Sequence, residues 1–170
     1  MVDERFHRSG DGDPAVRAVQ RTHTVEVRGT WTGDLRGVGH VEIGGGDGRF
    51  SIPAELGGRG IGTNPEELLA AAAATCYLIT LAVNLRMRGI VVRGLQIRTQ
   101  ATFDVSAAPV VLAIRHFPTV EVSEPERERR REALGTCLAE AEASCMVANA
   151  MRGSVETSVE PLIEVTPDGG

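Results

Sequence analysis

Along this chain the rhythm of apolar and polar positions changes several times, and each change marks an element. Over residues 19–28 the two alternate, with Val19, His23, Val25 and Val27 on one face and Gln20, Thr22, Thr24, Glu26 and Arg28 on the other. That period of two predicts a half-buried strand. Residues 31–34 (WTGD) predict a turn, Gly39, Val41 and Ile43 a second strand, residues 44–48 (GGGDG) a flexible turn, and Phe50 with Ile52 a third short strand. The first third therefore reads as an antiparallel meander.

After residue 55 the polar face disappears. Over residues 68–83 only Thr75, Cys76, Tyr77 and Thr80 carry a polar atom. Asn64 suits an N-cap, Pro65 the first helical position and Glu67 the third, from which a carboxylate can reach back to the cap. Gly89 is the expected left-handed C-cap, with Arg86 and Arg88 at the negative end of the helix dipole. Alternation returns over 95–105, and a turn at Ala107, Ala108 and Pro109 leads to a hairpin partner over 110–122, where Pro118 predicts an edge or a bulge. Ser123-Glu124-Pro125-Glu126 predicts a capping box. The helix it opens carries Leu134, Cys137, Leu138, Ala141, Cys145 and Ala148 on one stripe. Val155, Thr157 and Val159 predict a last strand.

Segregated strands and helices make the class α+β with antiparallel sheets. A helix apolar on every side needs cover that two three-stranded sheets and one amphipathic helix do not supply. The expected answer is an intimate homodimer with the central helices at its heart. Residues 16–166 are expected to form one domain, with an N-terminal arm over 1–15 and a short tail over 167–170.

Composition narrows the function. The chain has 170 residues and a net charge of −5, so long-range attraction to nucleic acid or an anionic membrane is not expected. Every basic residue is Arg, which excludes Schiff-base chemistry and a P-loop lysine. The run ERERRRE over 126–132 pairs Glu126 with Arg130 and Glu128 with Arg131 at helical spacing, and reads as a solvated face. The first residues lack an apolar core, so no signal peptide is expected. The apolar run is shorter than the ~20 residues that span a bilayer. These features together predict a cytoplasmic protein. No CxxC or zinc-site spacing occurs, and no metal or organic cofactor is expected.

Sulfur is the remaining chemistry. Cys76 sits mid-helix, where a thiol is most simply a small core residue; to be a nucleophile it needs a cation or hydrogen-bond donors to offset desolvation. Arg36, in the turn LRGVG, and Arg59, just ahead of the helix, are the candidate cations. Glu55 is a candidate partner for an arginine. Cys145, on a second helix, pairs with Cys76 if the two helices pack, and Cys137 on the same stripe competes for that place. His23, His40 and His116 are assigned no role.

The stretch ELGGRGIGTNPEELLAAAAATC, followed far downstream by ASCMVANAM, resembles the OsmC/Ohr family of thiol-dependent hydroperoxide reductases, and nearly all of the chain after the N-terminal arm can be laid along it. The resemblance implies an α+β chain in an intertwined homodimer, and matches Cys76 to the peroxidatic cysteine, Cys145 to the resolving cysteine, Arg36 to the thiolate-activating arginine and Glu55 to its carboxylate partner. Two departures stand out: the loop between ELGG and GTNP is one residue short and holds Arg59, and Met146 follows Cys145 where the family has proline. The implied activity is reduction of organic hydroperoxides, with Cys76 oxidised to a sulfenic acid and Cys145 closing a disulfide. An external dithiol, possibly on a lipoylated protein, would be the reductant. The rival readings are a dimer that binds an apolar or acyl ligand, or a structural protein.

Overall fold

A computed structural model describes residues 22–106 and 109–166. The order of elements is β1 (Arg28–Thr32), β2 (Val38–Ile43), β3 (Gly46–Phe50), a 3-10 turn (Ala54–Leu56), α1 (Pro65–Met87), β4 (Gly94–Asp104), β5 (Val110–Val122), α2 (Glu124–Ser144), α3 (Met146–Met151), β6 (Glu156–Val159) and β7 (Leu162–Val165). The α+β class stands, and the first three strands form the expected antiparallel meander in the order β1-β2-β3.

Its boundaries differ from the pattern. Residues 22–27 are exposed and outside any strand, and Trp31 and Thr32 pair with Gly39 and Val38 rather than turning. The expected five-residue glycine turn contracts to Gly44 and Gly45, because Gly46 and Gly48 pair with Ile43 and Val41. The arm over 1–15, the 167–170 tail and most of the 107–109 turn lie outside the described residues.

The second sheet is mixed, which corrects the expectation of antiparallel sheets throughout. β4 pairs antiparallel with β5, whereas β6 and β7 both pair parallel to β5 on its other side. The reason is topological: α2 carries the chain back along the sheet, so the strands after it run with β5. One expected last strand is thus two, with β6 facing residues 113–116 and β7 facing 119–122. Pro118 lies in the gap between those pairings, on a central strand rather than an edge. The bulge falls at Leu112 on β5, the residue skipped where Thr102 and Phe103 of β4 pair with Ala113 and Val111.

Helix α1 starts and stops as its sequence dictates. Asn64 Oδ1 accepts the Glu67 N–H at 2.8 Å, while the Glu67 carboxylate takes the Thr63 hydroxyl at 2.9 Å. At the other end Gly89 has φ 63°, its N–H donates to Arg86 O, and Ile90 N–H donates to Leu85 O, each at 3.0 Å. This is a Schellman close, with Ile90 and Leu85 meeting in the core. The loop ahead of α1 needs its glycines: a Cβ on Gly62 (φ 71°) would lie 2.0 Å from Arg49 O.

The core lies between α1, α2 and the mixed sheet, built from Tyr77, Leu81, Leu85, Ile90, Val120, Val122, Leu134, Cys137, Leu138 and Ala141. Across it Arg88 holds Glu140 through two hydrogen bonds of 2.7 and 2.6 Å, tying α1 to α2. Within one chain α1 buries only the stripe Ala73, Tyr77, Leu81 and Leu85, whereas Ile79, Val83 and Met87 are 66%, 49% and 79% exposed. The helix is 23 residues long, longer than its uninterrupted apolar run. By length and composition it is apolar enough to cross a membrane, which corrects the expectation that it is too short.

The second helical region also departs from its pattern. α2 ends at Ser144, Cys145 takes an extended conformation (φ −64°, ψ 117°), and α3 restarts at Met146. Ser123 makes no side-chain capping bond. Its expected partner Glu126 is buried and serves Arg129, Arg130 and the N–H of Val91 instead, at 2.5, 3.6 and 3.4 Å.

Candidate active site

The break at Cys145 is what makes a site. Cys76 lies on α1 one residue before Tyr77, which belongs to the buried stripe, so its sulfur stands at the edge of the core and is half-buried. Cys145 is buried beside it at 1% exposure. Because Cys145 lies outside both helical ladders, the amides of the next turn are directed at Cys76 rather than spent within a continuous helix. The Cys145 thiol, the backbone N–H groups of Val147 and Met146 and the Thr80 hydroxyl stand near the Cys76 sulfur and favour its ionised form. Thr80 Oγ1 also donates to the Cys76 carbonyl at 2.8 Å, one turn along α1.

These contacts decide the ionisation. Burial pushes the Cys76 thiol up, but the donors from Cys145, Val147, Met146 and Thr80 together outweigh it, and Cys76 rests below the ordinary thiol range. Cys145 moves the opposite way: burial raises it, and donating to Cys76 raises it further. The pair is therefore asymmetric: ionisation is favoured at Cys76 on α1 and disfavoured at Cys145 at the head of α3.

Around the sulfurs, Tyr77 O–H donates to Leu138 O at 3.3 Å, and the ring stacks on His116 at 5.3 Å between centroids. Burial raises the Tyr77 phenol, and negative charge at Glu142 and Cys145 adds to this. His116 is buried, its Nδ1 lies 2.8 Å from Thr99 Oγ1, and burial lowers it toward the neutral form. Among the described residues no group of His, Cys, Asp and Glu has the arrangement of a metal site.

Not all of the residues singled out in the sequence come together. Cys137 is fully buried deeper between the helices, bonded to Arg88, and raised chiefly by burial. Arg36 is exposed in the turn between β1 and β2, where its backbone N–H bonds Asp34 at 2.9 Å. Glu55 is exposed in the 3-10 turn and Arg59 in the glycine loop. Within one chain, none of the groups that stabilise the Cys76 thiolate is a cation, and no ion pair joins Arg36 to Glu55 among the described residues. The donors that sequence reasoning missed are the amides of Met146 and Val147 and the hydroxyl of Thr80. Thr80 was legible from its spacing of four residues after Cys76. The amides were not, since no Gly or Pro marks the break at Cys145.

Comparison with known proteins agrees with this architecture. Residues 57–160 match the family model described as OsmC-like protein. The uncharacterised protein YmaD of Bacillus subtilis (strain 168) is 33% identical over 144 residues, covering 84% of this chain and 96% of that protein. Among solved structures, an organic hydroperoxide resistance protein OsmC from Legionella pneumophila has a TM-score of 0.64 at 20% identity, over 83% of this chain and 99% of its own. The organic hydroperoxide resistance protein OhrB of Bacillus subtilis has a TM-score of 0.58 at 22% identity, over 81% and 98%. At such identities the two structures speak for the fold. With the family model spanning most of the chain and a relative matched along nearly its whole length, the protein that holds this cysteine pair belongs to the OsmC-like family.

Proposed function

We propose that this protein is a thiol-dependent peroxidase that reduces organic hydroperoxides. The observation that carries the reading is the placement of Cys145, buried at the break between α2 and α3, against a Cys76 sulfur whose ionised form is favoured. The Cys76 thiolate attacks the O–O bond of a hydroperoxide, an alcohol leaves, and Cys76 becomes a sulfenic acid. Cys145 attacks that sulfur, closing a Cys76–Cys145 disulfide and releasing water. An external dithiol, such as a lipoylated protein in the cytoplasm, reopens it; no metal or organic cofactor takes part. Apolar neighbours on α1 favour organic substrates over hydrogen peroxide. Solved neighbours named as organic hydroperoxide resistance proteins support the same chemistry.

The working unit in this reading is a homodimer. The exposed apolar face of α1 and the outlying β1–β3 sheet suit a second copy, and such pairing is the route by which Arg36, oriented by Glu55, reaches a Cys76 thiolate. The rival reading, an apolar-ligand binder with little turnover, is supported by the same exposed face.

The test is stopped-flow oxidation of the reduced protein by cumene hydroperoxide and by hydrogen peroxide. Cys76→Ser is expected to abolish consumption of both, and Cys145→Ser to accumulate sulfenic or more oxidised Cys76 by mass spectrometry. Undiminished consumption by Cys76→Ser would sink the peroxidase reading in favour of the binder.

A further inference from the structure

The first step of such a reaction leaves a proton unaccounted for. Attack of a thiolate on RO–OH forms an S–O bond and breaks the O–O bond, and the electron pair of that bond departs on an alkoxide. An alkoxide is a poor leaving group unless a proton reaches it in the transition state. The groups on the Cys76 sulfur are a short set. Two are backbone amides, of Val147 and Met146, which do not release protons. The Thr80 hydroxyl, which also reaches the Cys76 carbonyl at 2.8 Å, is a much weaker acid than a thiol. Tyr77 donates to Leu138 O, and its phenol is held above its ordinary range by burial first and then by the charges of Glu142 and Cys145. His116 lies beyond the Tyr77 ring, buried, with Nδ1 at Thr99. Among the described residues, only Cys145 stands at the sulfur with an acidic proton.

We propose that Cys145 is the general acid of the first step as well as the resolving thiol: it protonates the departing alkoxide and is thereby converted into the nucleophile for the second step. The inference rests on the peroxidase reading above. The balance is complete. Cys76 S⁻, Cys145 S–H and RO–OH give Cys76 S–OH, Cys145 S⁻ and ROH, with Cys76 oxidised by two electrons and the O–O bond reduced. The Cys145 thiolate then displaces hydroxide from Cys76, the S–S bond forms as the S–O bond breaks, and the hydroxide is neutralised to water by a buffer acid in the solvent, which replaces the proton given to the alcohol. Arming of the resolving thiol is thus coupled to completion of the first step, and a free Cys145 thiolate does not wait beside Cys76 in the resting protein.

The experiment varies the need for a proton. Single-turnover oxidation of the reduced full-length protein is followed with an alkyl hydroperoxide, whose alkoxide needs a proton, and with a peroxycarboxylic acid, whose carboxylate does not. Cys145→Ala is expected to slow the alkyl hydroperoxide on the order of 100-fold more than the peracid, whose own slowing reads the loss of the Cys145 donor to the Cys76 thiolate. Cys145→Ser keeps a hydrogen-bond donor but is a far weaker acid, and the same split is expected. Equal slowing of both oxidants, no slowing of either, or full rescue by serine would overturn the proposal. If Cys76→Ser matched the wild type with the alkyl hydroperoxide, the peroxidase reading would fall first and this inference with it.

Discussion

At the scale of single residues, the donors on Cys76 can be removed one at a time, and Met146 offers the cleanest case. It occupies the first position of α3, where proline is tolerated, and Cys145 before it already has the extended backbone a following proline requires. Met146→Pro therefore deletes one N–H donor to the Cys76 sulfur with little disturbance of the chain. The expected outcome is a rise in the pH at which Cys76 becomes reactive, read by alkylation of that cysteine against pH with mass spectrometry. The sign follows from the geometry: the thiolate loses a hydrogen bond that the thiol never needed. An unchanged profile would show that the amide contributes nothing. The cysteines themselves were legible in the sequence, because few other chemical groups compete in a chain without Lys. Which second cysteine faces Cys76 was left between Cys145 and Cys137 by helical spacing alone. The extended residue at 145 separates them, and nothing in Ala143-Ser144-Cys145-Met146 announces it.

At the scale of elements, the two long helices carry similar N-terminal signatures with different outcomes. Asn64 closes a 2.8 Å bond to the Glu67 amide, whereas Ser123 closes none because Glu126 is drawn inward to Val91 and its arginines. Asn64→Ala is expected to cost about 1 kcal/mol of stability, and Ser123→Ala less than about 0.5 kcal/mol, both read from urea midpoints at constant slope. Equal losses would contradict the difference in capping. The long elements were legible, α1 from its unbroken apolar run between Asn64 and Gly89 and β4 from an alternation that burial of one face imposes. The short ones were less so. Strand β1 starts later than its alternation suggests, and β6 and β7 divide around Pro118 on a central strand. Their direction depends on where α2 delivers the chain, and no local pattern encodes that.

At the scale of the whole molecule, the uncovered face of α1 is the dominant feature. Ile79, Val83 and Met87 present a continuous apolar ridge opposite the buried stripe. With a second copy as the proposed cover, the wild type is expected to sediment as a dimer and Ile79→Asp together with Val83→Asp as a monomer in sedimentation velocity. A wild-type monomer would refute that assembly. The sequence made the need for cover plain, since no polar face exists, but it could not name the cover. The contacts around Cys76 carry a consequence of a different kind, for how the chain can change over time. Two of its donors belong to the backbone, so almost any side chain at 146 and 147 preserves them. Selection on the sulfur's surroundings then acts on where α2 stops rather than on the identity of the residues that follow, and those positions are free to drift while the thiolate stays supported.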